Sequence, residues 1–208
     1  LKVFVSFLND REMRMDEATT ERVLQDSMFE LDNLSAYLGK LKDMVCADER
    51  ETLLRPSAFN LRELVEKVVR LTNIPAGKKV SFSTAFPPDM PDLTADPVHV
   101  ANVLSNLIEN AIKYSGEEVN IDIVVLWNQQ GVELTVSDNG FGIAPDERRK
   151  VFEKFYRSSH LPDKQIPGIG LGLSYVRQIV EAHHGSVSLR SELGEGTRIT
   201  INLPTTAL

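Results

Sequence analysis

The sequence predicts an α+β chain: a two-layer α/β sandwich, with a mixed sheet packed on helices, preceded by a partial α-helical hairpin. Leucines recur at heptad spacing before Arg55-Pro56. After that break, stretches of alternating apolar residues exchange with stretches of helical period, which is the pattern of strands and helices sharing one core. Glycine-rich loops join them in the C-terminal half.

In the first region Val3, Phe4, Phe7 and Leu8 form a short amphipathic stretch, and the polar run from Asn9 to Thr20 can turn the chain. Leu24, Leu31, Leu38 and Val45, with Leu34 and Leu41 between them, then mark a seam on a helix of about 28 residues, roughly 42 Å long. An antiparallel partner should be of similar length, yet only about 10 residues precede the turn. The start at Leu1 instead of Met is therefore read as that of a fragment, with about 15 to 20 residues of the first arm expected upstream. Residues 1–55 are assigned to this partial hairpin and 56–208 to a second domain. The seam outnumbers what one short arm covers and predicts a homodimer through the hairpin; packing onto the chain's own second domain is the alternative.

In the second domain Asn60 is placed to cap a helix whose apolar face holds Leu61, Leu64, Val65, Val68, Val69 and Leu71. Val80 to Phe86 alternates as a strand that Pro87-Pro88 ends. Asp96-Pro97 opens a helix running to about Tyr114, because Pro suits the first helical turn. Val119 to Trp127 and Gly131 to Ser137 read as a hairpin turning near Asn128-Gln129-Gln130. Leu171 to His184 reads as a helix, and Gly185 to Arg190 with Thr197 to Leu203 as a closing hairpin.

Composition narrows the function. The chain has 208 residues, 42% hydrophobic and 25% charged, the balance of a globular protein. A net charge of −7 without a lysine- or arginine-rich stripe argues against a nucleic-acid partner. No apolar run approaches the roughly 20 residues of a spanning helix, so a membrane anchor is expected only in a longer parent protein. The single Cys46 forms no internal disulfide, fits a reducing cytoplasm, and is read as a buried inert thiol. A cytoplasmic location is expected.

The chemistry concentrates in a run of short motifs. Asn106, Asn110 and Lys113 in Asn106-Leu107-Ile108-Glu109-Asn110-Ala111-Ile112-Lys113-Tyr114 stand at i, i+4 and i+7 and share a helix face. Two carboxamides and an ammonium suit a hydrated Mg²⁺ beside phosphates, since that ion takes oxygen ligands and keeps waters; a solvated polar face is the plain alternative. Asp138-Asn139-Gly140-Phe141-Gly142-Ile143 follows a strand, where a carboxylate can accept from an exocyclic amine and glycines admit a flat ring; it also reads as an ordinary turn. In Phe152-Glu153-Lys154-Phe155-Tyr156-Arg157 the phenylalanines are expected to anchor a loop in the core, while Lys154 and Arg157 either reach phosphates or sit on the surface. Gly168-Ile169-Gly170-Leu171-Gly172 leads into a helix, and glycine-rich amides at a helix N-terminus make an anion site.

The order of these boxes resembles the catalytic domain of sensor histidine kinases, within the superfamily of gyrase, heat-shock chaperone ATPases and MutL proteins. The resemblance covers about 150 residues from about Phe59 onward. It implies ATP and Mg²⁺ as ligands and a response-regulator receiver domain as partner. It further implies Asn110 as the magnesium ligand with Asn106 a supporting polar contact, and Lys113 and Tyr114 lining phosphates and ring; Asn106, Glu109 and Lys113 are the candidate catalytic residues. Asp138 would read the adenine amino group over Gly140, Gly142 and Ile143, with Thr197 in support. Residues from about Arg157 to Pro167 would be a lid with Lys164 a phosphate contact, and Gly168, Gly170, Leu171 and Gly172 its hinge and cradle. Hydrolases of the superfamily carry a glutamate four residues before the magnesium asparagine. Asn106 stands there, and an amide cannot take a proton from water, which favours transfer over hydrolysis; Glu109 points about 100° away from Asn110 around the helix.

A phosphoacceptor histidine is the missing piece. His99 reads as structural, His160 as a solvated lid residue, and His183 and His184 as cations suited to a helix C-terminus. None sits on the hairpin, so the acceptor box is expected before Leu1. The leading expectation is an ATP-dependent histidine kinase of a two-component system. A nucleotide-binding signalling module without kinase activity and a superfamily ATPase are the alternatives.

Overall fold

A computed structural model describes residues 54–128, 130–160, 166 and 168–204. They fall within one unit of the chain, Thr52–Leu208. Residues 1–53 of the expected hairpin, with its dimer seam and Cys46, and residues 161–165 and 167 of the expected lid, Lys164 among them, lie outside the described residues.

The described elements run β1 (Ser57–Phe59), α1 (Leu61–Leu71), β2 (Lys79–Ala85), β3 (Leu93–Ala95), α2 (Pro97–Lys113), β4 (Glu118–Asn128), β5 (Gly131–Asp138), α3 (Gly172–Ala182), β6 (Ser186–Glu192) and β7 (Gly196–Pro204), with a 3₁₀ turn at Lys150–Phe152. The main sheet is five-stranded in the order β2-β4-β5-β7-β6. Its β2–β4 pair is parallel and the rest antiparallel, so the sheet is mixed. The small antiparallel pair β1–β3 was not anticipated, because three-residue strands leave no period to read.

Alternation decides which sheet face is covered. Val119, Ile121, Ile123 and Val125 of β4 are buried while Asn120, Asp122 and Leu126 face outward. α2 supplies Val103, Leu104, Leu107, Ile108 and Ala111 to the same core, and α3 supplies Val176, Ile179 and Val180. Side chains such as Leu104 and Ile123, at 0% exposure, each contribute roughly 2–3 kcal/mol by leaving water. One layer of helices on one sheet face is the two-layer sandwich that the sequence predicts.

The helix ends fix α2, and with it the site. Asp96 accepts from the N–H groups of Val98 (3.0 Å) and His99 (3.1 Å), and Pro97 follows in the first turn. At the other end Lys78 Nζ donates to Ser115 O at 2.9 Å and to Ile112 O, so a cation covers the negative end of the helix dipole. His183 corrects an expectation. It is a buried residue instead of a helix-end cation, its Nδ1 facing Ile179 O (2.8 Å) and its Nε2 accepting the Asp96 N–H across 3.0 Å. A backbone donor requires Nε2 to be unprotonated, and burial holds the imidazole below its ordinary pKa, so the residue is neutral. His99 is structural as expected, with Nδ1 2.9 Å from Tyr175 Oη.

Candidate nucleotide site

α2 and α3 pack side by side, and the predicted face of α2 meets the N-terminus of α3. A methyl placed on Gly172 would stand 3.2 Å from Asn106 Oδ1 and 3.5 Å from Asn110 Nδ2, so both carboxamides look onto the start of α3. Asn106 is buried and oriented by its amide, which donates to Asn102 O at 2.8 Å. Asn110 is half-buried, and Glu109 is exposed one residue before it. Gly168 lies directly against the Lys113 ammonium, which also rests 5.0 Å from the centre of the Tyr114 ring. Asn60 and Asp96 cap α1 and α2 with their side chains, whereas α3 begins at the buried Leu171 with no side-chain cap. Its first N–H groups and the positive end of its dipole therefore remain available to an anion.

Asp138 ends β5 with its Oδ1 accepting two backbone donors, Gly140 N–H at 2.8 Å and Thr197 N–H at 3.2 Å. Oδ2 takes no donor among the described residues and can accept one from a ligand. Burial pushes the carboxyl up to about 6, with those two N–H bonds opposing the rise. Gly140 and Gly142 serve the fold first. Gly140 closes on Tyr114 O, which accepts the Phe141 N–H at 2.8 Å. Gly142, at φ +72°, packs on the Glu192 carbonyl with no room for a Cβ. Ile143 is pinned by its N–H to Ser191 Oγ (2.8 Å), and Ser191 Oγ also lies 2.9 Å from Thr197 Oγ1.

Sequence reasoning missed Ser191 and Lys78, whose hydrogen bonds join residues far apart in the chain, and Glu147, whose partners lie 9 to 12 residues on. It also misassigned Phe155, expected to anchor a loop in the core. Phe155 is 62% exposed at φ +65°, and Phe152 is half-buried outside the main cluster. The anchoring ring is Tyr156, whose hydroxyl donates to buried Glu147 at 2.9 Å. Lys154 is exposed. Arg157 Nη2 donates to Ile166 O at 2.5 Å, and its charge counters the burial that raises the Tyr114 hydroxyl.

The residues fit a magnesium nucleotide. Among the described residues no group of three His, Cys, Asp or Glu could hold a metal alone. Mg²⁺ needs no such cage, since one or two protein oxygens, several waters and a substrate's phosphates complete its shell. Asn110 supplies an amide oxygen where the glycine loop and Lys113 would meet those phosphates.

A sandwich with a carboxylate at the sheet end, an asparagine face and a glycine loop opening an uncapped helix defines an ATP-binding domain. Residues 95–207, more than half of the chain, match the model of the histidine kinase-, DNA gyrase B- and HSP90-like ATPases, and the chain belongs to that family. Its relatives include the sensor protein RprX of Bacteroides fragilis (strain YCH46), 34% identical over 95% of this chain and 35% of that protein. Another is the adaptive-response sensory kinase SasA of Synechococcus sp. (strain JA-2-3B'a(2-13)), 31% identical over 93% of this chain and 52% of that protein. The chain thus spans about half the length, or less, of these curated relatives. The catalytic domain of histidine kinase ThkA superposes with a TM-score of 0.64 at 27% identity, covering 74% of this chain and 99% of that one. ThkA has also been solved with response regulator protein TrrA, at a TM-score of 0.71 and 24% identity over 99% of this chain and 56% of that one.

Proposed function

We propose that the chain is the ATP-binding part of a two-component sensor histidine kinase, transferring the γ-phosphate of Mg-ATP to a histidine for relay to a response-regulator aspartate. The observation that carries this reading is the meeting of Asn106, Asn110 and Lys113 with the glycine loop and the bare N-terminus of α3. Magnesium would neutralise charge between the β- and γ-phosphates. Asn110 would hold it through the amide oxygen, and Lys113 with the α3 N–H groups would hold the phosphate oxygens. Asp138 would accept from the adenine amino group at Oδ2. Such a site works by positioning and charge, which phosphoryl transfer chiefly needs.

Asn106 favours a kinase over a hydrolase, because its buried amide is committed to Asn102 O and has no basicity to give a water. The acceptor is not His183, whose nitrogens are both engaged, nor His99, which faces Tyr175. It belongs instead on the helical hairpin, through which a homodimer would form, in the cytoplasmic portion of a sensor. The receiver-domain partner is proposed on the precedent of ThkA.

Calorimetric titration with a non-hydrolysable ATP analogue, with and without Mg²⁺, tests the site. Saturable binding is expected, strengthened by Mg²⁺ in the parent and insensitive to it in Asn110→Ala. Absence of binding in the parent would remove the kinase reading.

A further inference from the structure

We propose that Glu147 is a positioning residue for the glycine loop: its buried carboxylate fixes residues 156–159, and their neighbour Phe155 holds Gly170 in place against α2. The functional consequence rests on the nucleotide reading above.

Glu147 is 1% exposed, yet no Lys or Arg pairs with it among the described residues. Its Oε1 accepts from Tyr156 Oη (2.9 Å), Ser159 N–H (2.9 Å) and Ser159 Oγ (3.0 Å), and Oε2 accepts from Ser158 Oγ. His160 Nδ1 stands 3.3 Å from Oε1. The carboxylate's own backbone is tied by its N–H to Ala144 O and by Val151 N–H to its carbonyl, both at 3.0 Å. Burial opposes the charge, but the donors hold the carboxyl down at about 2, so the acceptor is fully charged at neutral pH. A buried charge satisfied by four donors within residues 156–159 leaves that segment little freedom.

The next link is backbone to backbone. Phe155 holds φ +65°, unusual outside glycine, and such a conformation persists only where its surroundings over-determine it. Its N–H donates to Gly170 O at 2.9 Å. A Cβ on Gly170 would lie 2.5 Å from Tyr156 O and 2.8 Å from the Phe155 carbonyl carbon, so the two segments are in direct contact. Two residues on, Gly172 faces Asn106 and Asn110. A shift of Tyr156 therefore passes to the phosphate end of the site, and Asp138 at the sheet end is not on this path.

Two measurements on the whole chain decide the matter. Without nucleotide, hydrogen exchange of the 168–174 amides is expected to rise about tenfold in Glu147→Ala, with β4 and β5 amides unmoved. Titration should show Glu147→Ala losing about tenfold in affinity for the magnesium ATP analogue and nothing for adenosine. Glu147→Gln, which still offers two acceptor positions to Tyr156 and Ser159 and a donor to Ser158 Oγ, should restore both. Equal losses for analogue and adenosine, or unchanged exchange at 168–174, would reduce Glu147 to a stabilising residue. Should Glu147→Ala not fold, Tyr156→Phe is expected to give the same pattern at about threefold, and its absence would overturn the proposal. If the parent binds no analogue, the kinase reading fails, while exchange still decides the positioning role.

Discussion

Asp138→Asn isolates one acceptor atom. In the parent, Oδ1 is occupied by two N–H groups, leaving Oδ2 for the ligand. Asparagine can keep both bonds on its Oδ1, and its amide then presents a donor where an acceptor is needed. Loss of a hydrogen bond to a charged group, about 1.5–3 kcal/mol, predicts roughly ten- to hundredfold weaker binding of an ATP analogue at pH 7. The same carboxylate sets a pH profile. Its folded pKa of about 6 exceeds the ordinary 3.8, so between those values the folded state binds more protons than the unfolded one. Stability is therefore highest below pH 4 as regards this group, and falls by about 2–3 kcal/mol as pH rises through about 6. Ligand affinity runs the opposite way, weakening below pH 6 as the carboxylate becomes an O–H donor. Titration calorimetry and thermal melts from pH 4 to 8 read both effects. Binding by Asp138→Asn within twofold of the parent, or a parent affinity flat from pH 5 to 7, would refute the assignment.

Gly142→Ala is expected to cost more than about 2 kcal/mol in denaturant melts, because φ +72° and contact with Glu192 O leave no place for a Cβ; unchanged stability would contradict that packing. His183→Ala should lose about 2–4 kcal/mol by leaving the Asp96 N–H without an acceptor and opening a cavity. With the parent imidazole held below 6.5, the unfolded state takes up the proton first, so the His183 contribution is lost as pH falls below 6.5. Comparison of the melts of parent and variant at pH 7.5 and 5.5 checks this: the gap should narrow on acidification.

The legible parts of the sequence were those with local causes. Asp96-Pro97 announced α2, and the alternation of β4 and β5 gave the sheet, each through neighbours within a few residues. The facing of Asn106, Asn110 and Lys113 followed from helical spacing alone. What escaped notice depends on partners or backbone turns that no local period encodes. His183 looked like a helix-end cation, and only its burial and its bond to Asp96, 87 residues earlier, make it a neutral core residue. Glu147 stands in the charged run Asp146-Glu147-Arg148-Arg149-Lys150, and only the fold turns it onto Tyr156, Ser158 and Ser159. Phe155 and Tyr156 are adjacent aromatics, and sequence cannot say which turns inward once a positive φ intervenes.

The bond from Thr197 to Asp138 spans 59 residues of chain. The pairing of β5 with β7 that makes it closes a long loop, a slow step in folding with its entropy lost before contacts compensate. The Thr197 N–H that fixes the proposed base acceptor is thus in place only once β7 has docked. A nucleotide held there binds the folded chain alone, and at a hundred times its dissociation constant it adds about 2.7 kcal/mol to stability. Cellular nucleotide would then act on this protein as a guardian of the native state, slowing its loss to proteases in proportion to how full the site is kept.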